Sequence, residues 1–523
     1  MDGIKTVNII GAGLAGLSAA ITLAENGVHS NLISSQPSER AQSVLAEGGI
    51  NAALDTMGEG DTTGEHFADT MRGGCFLESE SAVKSLTENA PGIVTRLYKL
   101  GVPFENRDGR LVLRNFGGQK KKRTAYAKSS TGKMIMTALI DEARKYEAAG
   151  MIDRMPHHTL VGIKTSGGAL ESVTVKDNYT GKCISIGGNT VLCTGGLNGF
   201  FDGMTTGTTQ NTGDAAAIAF AAGAAFADLE FIQYHPTTAE ISGKRMLISE
   251  AARGEGGRLF IMRDGKPWYF MEERYPSLGN LMPRDVVARE MTSVKREPGC
   301  DGEIFLDMTG LGADAWTGKL SDLRTEIISY LHMDPKDVPV PVRPGIHFFM
   351  GGIRVNDRHE TDIKGLFAAG EAACRYHGAN RLGGNSMLAA IYGGSVAARS
   401  AAETAGEAPI RETDAAFDEA TPSARARLKK ALTDGLGIIR DEASMKAAEA
   451  EIEAMTREEP NSVDRLRAAL GLAMIRSAIA RRESRGAHFR SDIPDTVESL
   501  KKKSYARYDG GRVIVGFDDG KAR

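Results

Sequence analysis

One short segment near the N-terminus constrains this chain more than any other. Val7-Asn8-Ile9-Ile10 is an apolar β-type run, Gly11-Ala12-Gly13-Leu14-Ala15-Gly16 follows it, and Leu17, Ala20, Ile21 and Ala24 then recur at helical spacing. Gly27 closes the helix and residues 30–33 open a second strand. Strand, glycine turn, helix and strand make a dinucleotide-binding unit with G-x-G-x-x-G in its working position. The three glycines do different things. Gly11 makes the turn, Gly13 lets the backbone approach a pyrophosphate, and Gly16 lets the helix lie close to the strand. The helix N-terminus offers unpaired N–H groups and a positive dipole end to phosphate. The second strand ends Ile33-Ser34-Ser35, so a hydroxyl stands where a carboxylate usually meets the ribose, and no Arg follows to mark NADP.

Composition narrows the class. At 523 residues the chain is long enough for roughly three domains. Its charge, 64 − 67 = −3, lacks the basic excess of a dedicated nucleic-acid binder. The five cysteines (75, 183, 193, 300, 374) include no close pair, which argues against zinc or iron–sulfur ligation and fits a reducing cytoplasm. The opening Met1-Asp2-Gly3-Ile4-Lys5 has no export-signal pattern. The apolar run 215–227 is too short to span a bilayer, so membrane attachment is expected only through a partner. Glycine is abundant, at 62 residues, and falls in doublets that suggest backbone packed where no Cβ fits.

The expected fold class is α/β: a Rossmann-like domain with an inserted α+β capping domain and a C-terminal helical bundle. The nucleotide domain is expected over 1–227 and 345–405, the cap over 228–344, the helical domain over 406–490 and a tail over 491–523. Within these, 160–192 reads as β-rich, with hairpin turns at Gly167-Gly168 and Gly187-Gly188. Thr421-Pro422 and Asn461-Ser462 read as helix starts, and 410–485 as helical throughout. The run 120–123, Lys-Lys-Lys-Arg, reads as a solvated loop able to steer anions. Cys193 and Cys374 read as inert thiols in apolar surroundings.

Several stretches together resemble the flavoprotein-subunit family of succinate dehydrogenase, fumarate reductase and L-aspartate oxidase. They are Ala46-Glu47-Gly48-Gly49, Asn211-Thr212-Gly213-Asp214, His235-Pro236-Thr237, Arg253-Gly254-Glu255-Gly256-Gly257, Pro283-Arg284-Asp285, His347 with Met350-Gly351-Gly352, Gly370-Glu371, the run from His377-Gly378-Ala379-Asn380-Arg381 through Leu382-Gly383-Gly384-Asn385-Ser386, and Glu483-Ser484-Arg485-Gly486. They occur in family order. The resemblance implies FAD, with Gly11, Gly13, Ala15 and Gly16 at the pyrophosphate. Ser34, Ser43, Ala46, Gly48, Gly49 and Gly195 would line the adenosine and ring approaches, and Asp214, Glu371, Arg381, Ser386 and Leu388 the ribityl and ring region. Respiratory members tether FAD through a His in H-T-V-x-A-E-G-G; this chain reads Gln42-Ser43-Val44-Leu45 there, which implies non-covalent FAD.

The same resemblance implies a C4 dicarboxylate substrate. His235, Ser249 and Glu250 would surround one carboxylate and His347 and Arg381 the other, since Arg is the planar carboxylate clamp. Arg284 would deliver a proton, restored through Glu250 and Arg253. Phe116 in Phe-Gly-Gly stands where aspartate oxidases place a Glu to meet the substrate ammonium, which favours fumarate. L-aspartate oxidation, reduction of another unsaturated acid, and a non-catalytic FAD-holding scaffold are the alternatives. Arg485 and His488 are expected to dock the helical bundle, and His377 reads equally as structural or functional. No electron-donor motif occurs in the chain, so electrons would come from a partner such as an iron–sulfur subunit, or from a diffusible reductant. No resident metal is expected.

Overall fold

A computed structural model describes residues 4–414 and 417–518. The first residues, read above for an export signal, and the last five of the tail lie outside the described residues. The opening unit forms as its pattern requires. Strand Thr6–Ile10 leads through the glycine turn into helix Leu14–Glu25 and strand His29–Ser34. Gly11 has φ +110°, and a Cβ there would lie 2.2 Å from the Cys193 carbonyl oxygen. A Cβ on Gly16 would sit 1.8 Å from the Gly11 oxygen, so only glycine lets the helix start this close to the turn.

These strands lie inside a five-stranded parallel sheet, in the order Leu366–Ala368, Thr190–Leu192, Thr6–Ile10, His29–Ser34, Ile152–Pro156. The edge strand Leu366–Ala368 comes from far along the chain, so two distant segments build one nucleotide-binding body. Its core packs the apolar face of Leu14–Glu25 against Ile135, Leu139, Leu388 and Ala397 from helices Thr131–Ala148 and Asn385–Glu403.

Between those segments a separate six-stranded sheet forms a cap with its own apolar core, including Ile248, Leu259, Met291, Leu306 and Leu323. Its two long strands, Ile232–Ile241 and Val340–Phe349, pair antiparallel and carry the chain in and out. The boundary expected at 344/345 thus falls inside a strand. Pairing a long strand over both sides of a domain junction fixes the base of the cap to the body.

Two further features differ from the sequence reading. Gly187-Gly188 is no hairpin: it links strand Cys183–Gly187 of a four-stranded antiparallel sheet to strand Thr190–Leu192 of the parallel sheet. Residues Ile410–Thr413 form an edge strand against Cys183–Gly187, so helix begins only at Pro422. Its β-branched termini satisfy an open sheet edge before the bundle starts. The bundle is Pro422–Gly435, Glu442–Glu458 and Ser462–Ala480, with Thr421, Asp441 and Asn461 capping the three N-termini through their side chains. In the tail, Asp509-Gly510-Gly511 and the short strand after it read from the sequence as a turn and strand, and they form a hairpin, Ser504–Asp509 with Arg512–Phe517, that adds to strand Phe226–Ala227. Among the described residues no helix is long and apolar enough to cross a membrane.

Candidate active site

A cavity of about 360 Å³ runs from the glycine turn to the base of the cap. Gly11, Gly13, Ala15, Ser34, Ser43, Ala46, Gly48, Gly49, Gly195, Asp214, Glu371, Arg381 and Ser386 line it, as do Phe116, His235, Ser249, Glu250, Arg284 and His347. Gly16, Leu388 and Arg253 do not line it. Gly16 serves helix packing instead, and Leu388 points into the apolar core, fully buried. Arg253 lies behind Glu250, where its Nη1 donates to the Asn280 carbonyl at 2.5 Å.

The residues fit an FAD. Helix Leu14–Glu25 opens on this cavity with no capping side chain of its own and no acid in its first turn. Its Leu14 N–H donates to Ser43 Oγ at 3.2 Å. Helix Asn385–Glu403 also starts at the cavity without a side-chain cap, after Gly384 at φ +83°. Two uncapped helix N-termini facing one cleft are a ready anion site for a pyrophosphate. Beyond them, Phe116 packs between two glycines: a Cβ on Gly48 or Gly383 would lie 3.1 Å from its side chain. Gln42 also lines the cavity, and its Oε1 accepts from the Thr208 N–H at 2.5 Å.

At the cap end the polar side chains converge. Glu250 opens the short helix Glu250–Gly254, which Ser249 caps. Arg284 is the first residue of helix Arg284–Val294, after Pro283, a start that suits proline. Arg284 holds Glu250 Oε2 in a two-pronged grip, Nε at 2.9 Å and Nη2 at 2.7 Å. Arg253 Nη2 stands 3.9 Å from the other oxygen. Burial by itself raises the Glu250 carboxyl, but Arg284, Arg253 and the Gly117 amide outweigh it and bring it down to about 2. Burial, helped by Arg284, lowers Arg381 to about 9.

Sequence reasoning missed the residue that holds the two cavity arginines side by side. Gln233 Oε1 accepts from Arg284 Nη1 at 3.2 Å and from Arg381 Nη2 at 3.0 Å. Its Nε2 donates to Asn380 Oδ1 and to the Arg381 carbonyl, each at 2.8 Å. A signal existed: Gln233 lies two residues before His235 on one strand, so both face the same way.

The two histidines face each other at 5.2 Å between ring centroids. Thr237 spends its hydroxyl proton on the Ile248 carbonyl at 2.8 Å, so His235 Nδ1 must donate to the Thr237 carbonyl, 3.0 Å away. Neutral His235 therefore presents a bare acceptor, Nε2, which has no hydrogen-bond partner among the described residues. Burial first, and then Arg284 and Arg253, hold His235 well below the ordinary range of histidine. His347 pairs with Thr206 Oγ1 at 2.8 Å and is lowered by burial in the same way.

Other expectations come out differently. The run 120–123 is not wholly solvated: Arg123 is fully buried between Asp61 and Asp69, each at 2.9 Å. Cys374 is buried but lies against Asp228 Oδ2 at 3.3 Å rather than in purely apolar surroundings. His377 does not line the cavity; it packs edge-on against Phe348 at 5.1 Å. Arg485 and His488 sit outside the cavity, paired with Glu483 and Arg440.

Comparison with known proteins gives a consistent picture. Residues 6–387 match the model of an FAD binding domain, and residues 463–512 that of the fumarate reductase flavoprotein C-terminus. The chain is 42% identical over 399 residues to the succinate dehydrogenase flavoprotein subunit of Bacillus subtilis, covering 75% of this chain and 68% of that one. It is 34% identical over 530 residues to the L-aspartate oxidase of Streptomyces coelicolor, covering 94% of this chain and 89% of that one. A structure of the E. coli quinol fumarate reductase superposes with a TM-score of 0.86 at 29% identity, over 99% of this chain and 97% of that one.

Proposed function

The chain belongs to the flavoprotein-subunit family of succinate dehydrogenase, fumarate reductase and L-aspartate oxidase, and on that premise we propose that it reduces fumarate to succinate. It is an FAD-dependent oxidoreductase of that family, acting on succinate and fumarate or on aspartate. The observation that carries the finer reading is the charge at the cap end of the cavity. Arg284 and Arg253 flank one carboxylate, Glu250, and Arg381 stands beside Arg284 on a shared Gln233, while burial raises Glu371, the other acid facing Arg381, to about 7. A dianion completes that balance; an amino acid bearing an ammonium completes less of it. Phe116 adds an apolar face beside Gly48 and Gly383, suited to the CH=CH middle of fumarate.

The bound flavin supplies hydride chemistry at its ring. The chain's own residues do the rest. Arg381, held by Gln233, and His347 take one carboxylate. Ser249 and His235 take the other, His235 once it has gained a proton at Nε2. Arg284 gives a proton to the substrate carbon next to the one that receives hydride. Free guanidinium is a weak acid, with a pKa above about 12, so the step works only toward a developing carbanion. Glu250, ionised and 2.7 Å away, returns a proton to Arg284 by first taking one from Arg253 behind it, which is refilled from its far side. Fixed cations aimed at charge that appears in the transition state lower its barrier without reorganisation.

Gln42 stands where a histidine tethers FAD in respiratory members, and its amide has no nucleophilic nitrogen, so the flavin is held without a covalent bond. The B. subtilis relative is named as a subunit; we take the electron source here to be a separate partner, an iron–sulfur subunit. L-aspartate oxidation is the second reading, favoured by the identity to the S. coelicolor enzyme.

The test is anaerobic. Acid precipitation should first leave the flavin in the supernatant. Reduced holoenzyme mixed with fumarate should then regain the oxidised flavin absorbance, and oxidised holoenzyme should stay unbleached by L-aspartate. Bleaching by L-aspartate with no response to fumarate would transfer the assignment to aspartate oxidase.

A further inference from the structure

Between the nucleotide-binding body and the cap lies the turn 116–119. Its body side is tied down at several points. Gln119 Nε2 donates to Asn51 Oδ1 at 3.0 Å and to the Gly383 carbonyl at 2.9 Å. Gln119 Oε1 accepts from the Phe116 N–H and from Thr124 Oγ1, each at 3.3 Å. The next amide, Lys120 N–H, donates to Asp69 Oδ2 at 3.0 Å, and Asp69 is itself held by Arg123 and Arg72. Phe116 is wedged between Gly48 and Gly383.

The cap side of the turn makes one directed bond. Gly117 N–H donates to Glu250 Oε1 at 2.8 Å, between residues 133 apart in sequence. Gly117 is also hemmed in by the cap backbone: a Cβ there would lie 2.8 Å from Glu250 Oε1, 3.2 Å from the Leu281 oxygen and 3.3 Å from the Met282 oxygen. Residues 281 and 282 lead directly into Pro283 and Arg284. The turn therefore meets both members of the proton-delivering pair, one through a hydrogen bond and one through the approach of its chain.

We propose that the turn 116–119 is an interdomain latch, in which Gly117 and Gln119 are positioning residues that hold the Arg284–Glu250 pair in register with the cavity when the cap is seated on the body. The inference rests on the Arg284–Glu250 relay proposed above and adds what governs it. A cap that lifts breaks the Gly117–Glu250 bond and frees one carboxylate oxygen. Glu250 then keeps Arg284 but loses its hydrogen bond to the body, and the pair moves out of register with the cavity. The bond lies inside a charged enclosure: Arg284 and Arg253 flank Glu250 directly, Arg381 and Arg114 face it from the body, and His347 from the long cap strand. Losing the Gly117 donor removes one of the groups that favour the ionised carboxyl, so its titration moves upward.

The experiment uses FAD-loaded protein and malonate as a non-reacting dicarboxylate. Hydrogen exchange, read by mass spectrometry, should slow on malonate binding in peptides spanning 114–120 and 278–286. Gly117→Ala leaves φ unstrained, because Gly117 is not among the left-handed glycines, but pushes the turn off the cap. It should keep FAD and malonate binding yet lose that protection. Its kcat should fall about tenfold or more, the size of a lost hydrogen bond to a charged group, with KM within about threefold. The acid limb of its kcat profile should move to higher pH. Gln119→Ala, which frees the anchored side without crowding the cap, should give the same pattern. Wild-type protection and an unchanged pH profile in either variant would overturn the latch. Arg284→Lys separates the two ideas, since Glu250 keeps its carboxylate and its Oε1 still accepts from Gly117. It should keep the protection and lose turnover; retained turnover would overturn the relay reading and leave the exchange result to judge the seating contact alone.

Discussion

Two clusters of buried charge flank one short stretch of chain, residues 228–235, and they follow opposite rules. On one side Glu230 accepts from Arg481 Nε at 2.6 Å and from Ser504 Oγ at 2.7 Å. Arg481 also donates to Glu483 and to the Leu500 and Lys502 carbonyls, and Arg485 grips both oxygens of Glu483. Every nitrogen of the Arg481 guanidinium has a partner, and its carboxylates are as deeply buried as it is. On the other side, among the described residues, Arg381 Nε and His235 Nε2 have no hydrogen-bond partner. The first cluster ties the bundle and the tail hairpin to the strand leading into the cap. The second holds charge in a cavity and leaves it unmatched. Buried charge is costly unless paired and hydrogen-bonded. A saturated network is therefore a structural fastener, and an unsaturated one marks where a ligand completes the set.

That contrast can be broken most sharply at Arg284. Arg284→Lys should lower kcat by between about 10³- and 10⁴-fold, the scale of lost acid catalysis combined with lost charge stabilisation. FAD content and thermal midpoint should stay close to wild type, because lysine keeps a cation against Glu250. A large drop in the midpoint, with activity per folded molecule intact, would erase the distinction.

The converse substitution is Arg481→Ala. It strands Glu230 without its cation, leaves Glu483 to Arg485 alone, and should destabilise the protein by about 3–5 kcal/mol. Denaturant unfolding measures the loss, and the remaining folded fraction should keep wild-type turnover per flavin. Normal stability with impaired turnover would place this cluster in the machinery instead.

A smaller effect sharpens the comparison through pH. Burial and the nearby guanidinium groups keep free His235 neutral at working pH. A bound carboxylate favours its charged form and raises its pKa, so binding takes up a proton wherever the pH lies between the free and bound values. Malonate affinity should thus weaken as pH rises through that window, by up to about tenfold per unit for a single linked proton. Titration calorimetry in buffers of different ionisation enthalpy reads the uptake directly. Proton-neutral binding would mean that Nε2 accepts rather than donates. The saturated cluster should contribute no such proton, since no ligand reaches it.

The nucleotide-binding half was legible because its signals are local. The strand, glycine turn and helix stand within thirty residues of one another, and Gly11 and Gly16 are demanded by contacts inside that unit. The helix starts at Thr421 and Asn461 were readable for the same reason: a cap bonds an amide three residues away. The residues expected at the site do line the cavity, apart from Arg253, Gly16 and Leu388, and short motifs that keep their order along the chain pointed to them. What the residue types could not disclose was burial and partner. Arg123 reads as one more charge in a basic run, until Asp61 and Asp69 enclose it. Leu388 reads like its neighbours, yet on a helix one step in sequence is about 100° of rotation, which turns it from cavity to core. Ile410–Thr413 looks like the preface to a helix and becomes a strand because Cys183–Gly187 offers an open edge.

By itself, then, the sequence determined the nucleotide-binding unit, the helical bundle and the kinds of side chain that the chemistry requires. Tertiary structure alone decided which of those side chains meet: Gln233 between two arginines, Gly117 against Glu250, and the tail hairpin against Phe226–Ala227. The physical reason is range. Propensity, capping and turn geometry act over a few residues and are written in the local pattern. The match of a buried charge to its partner depends on which distant segments pack together, and so on the free energy of the whole fold.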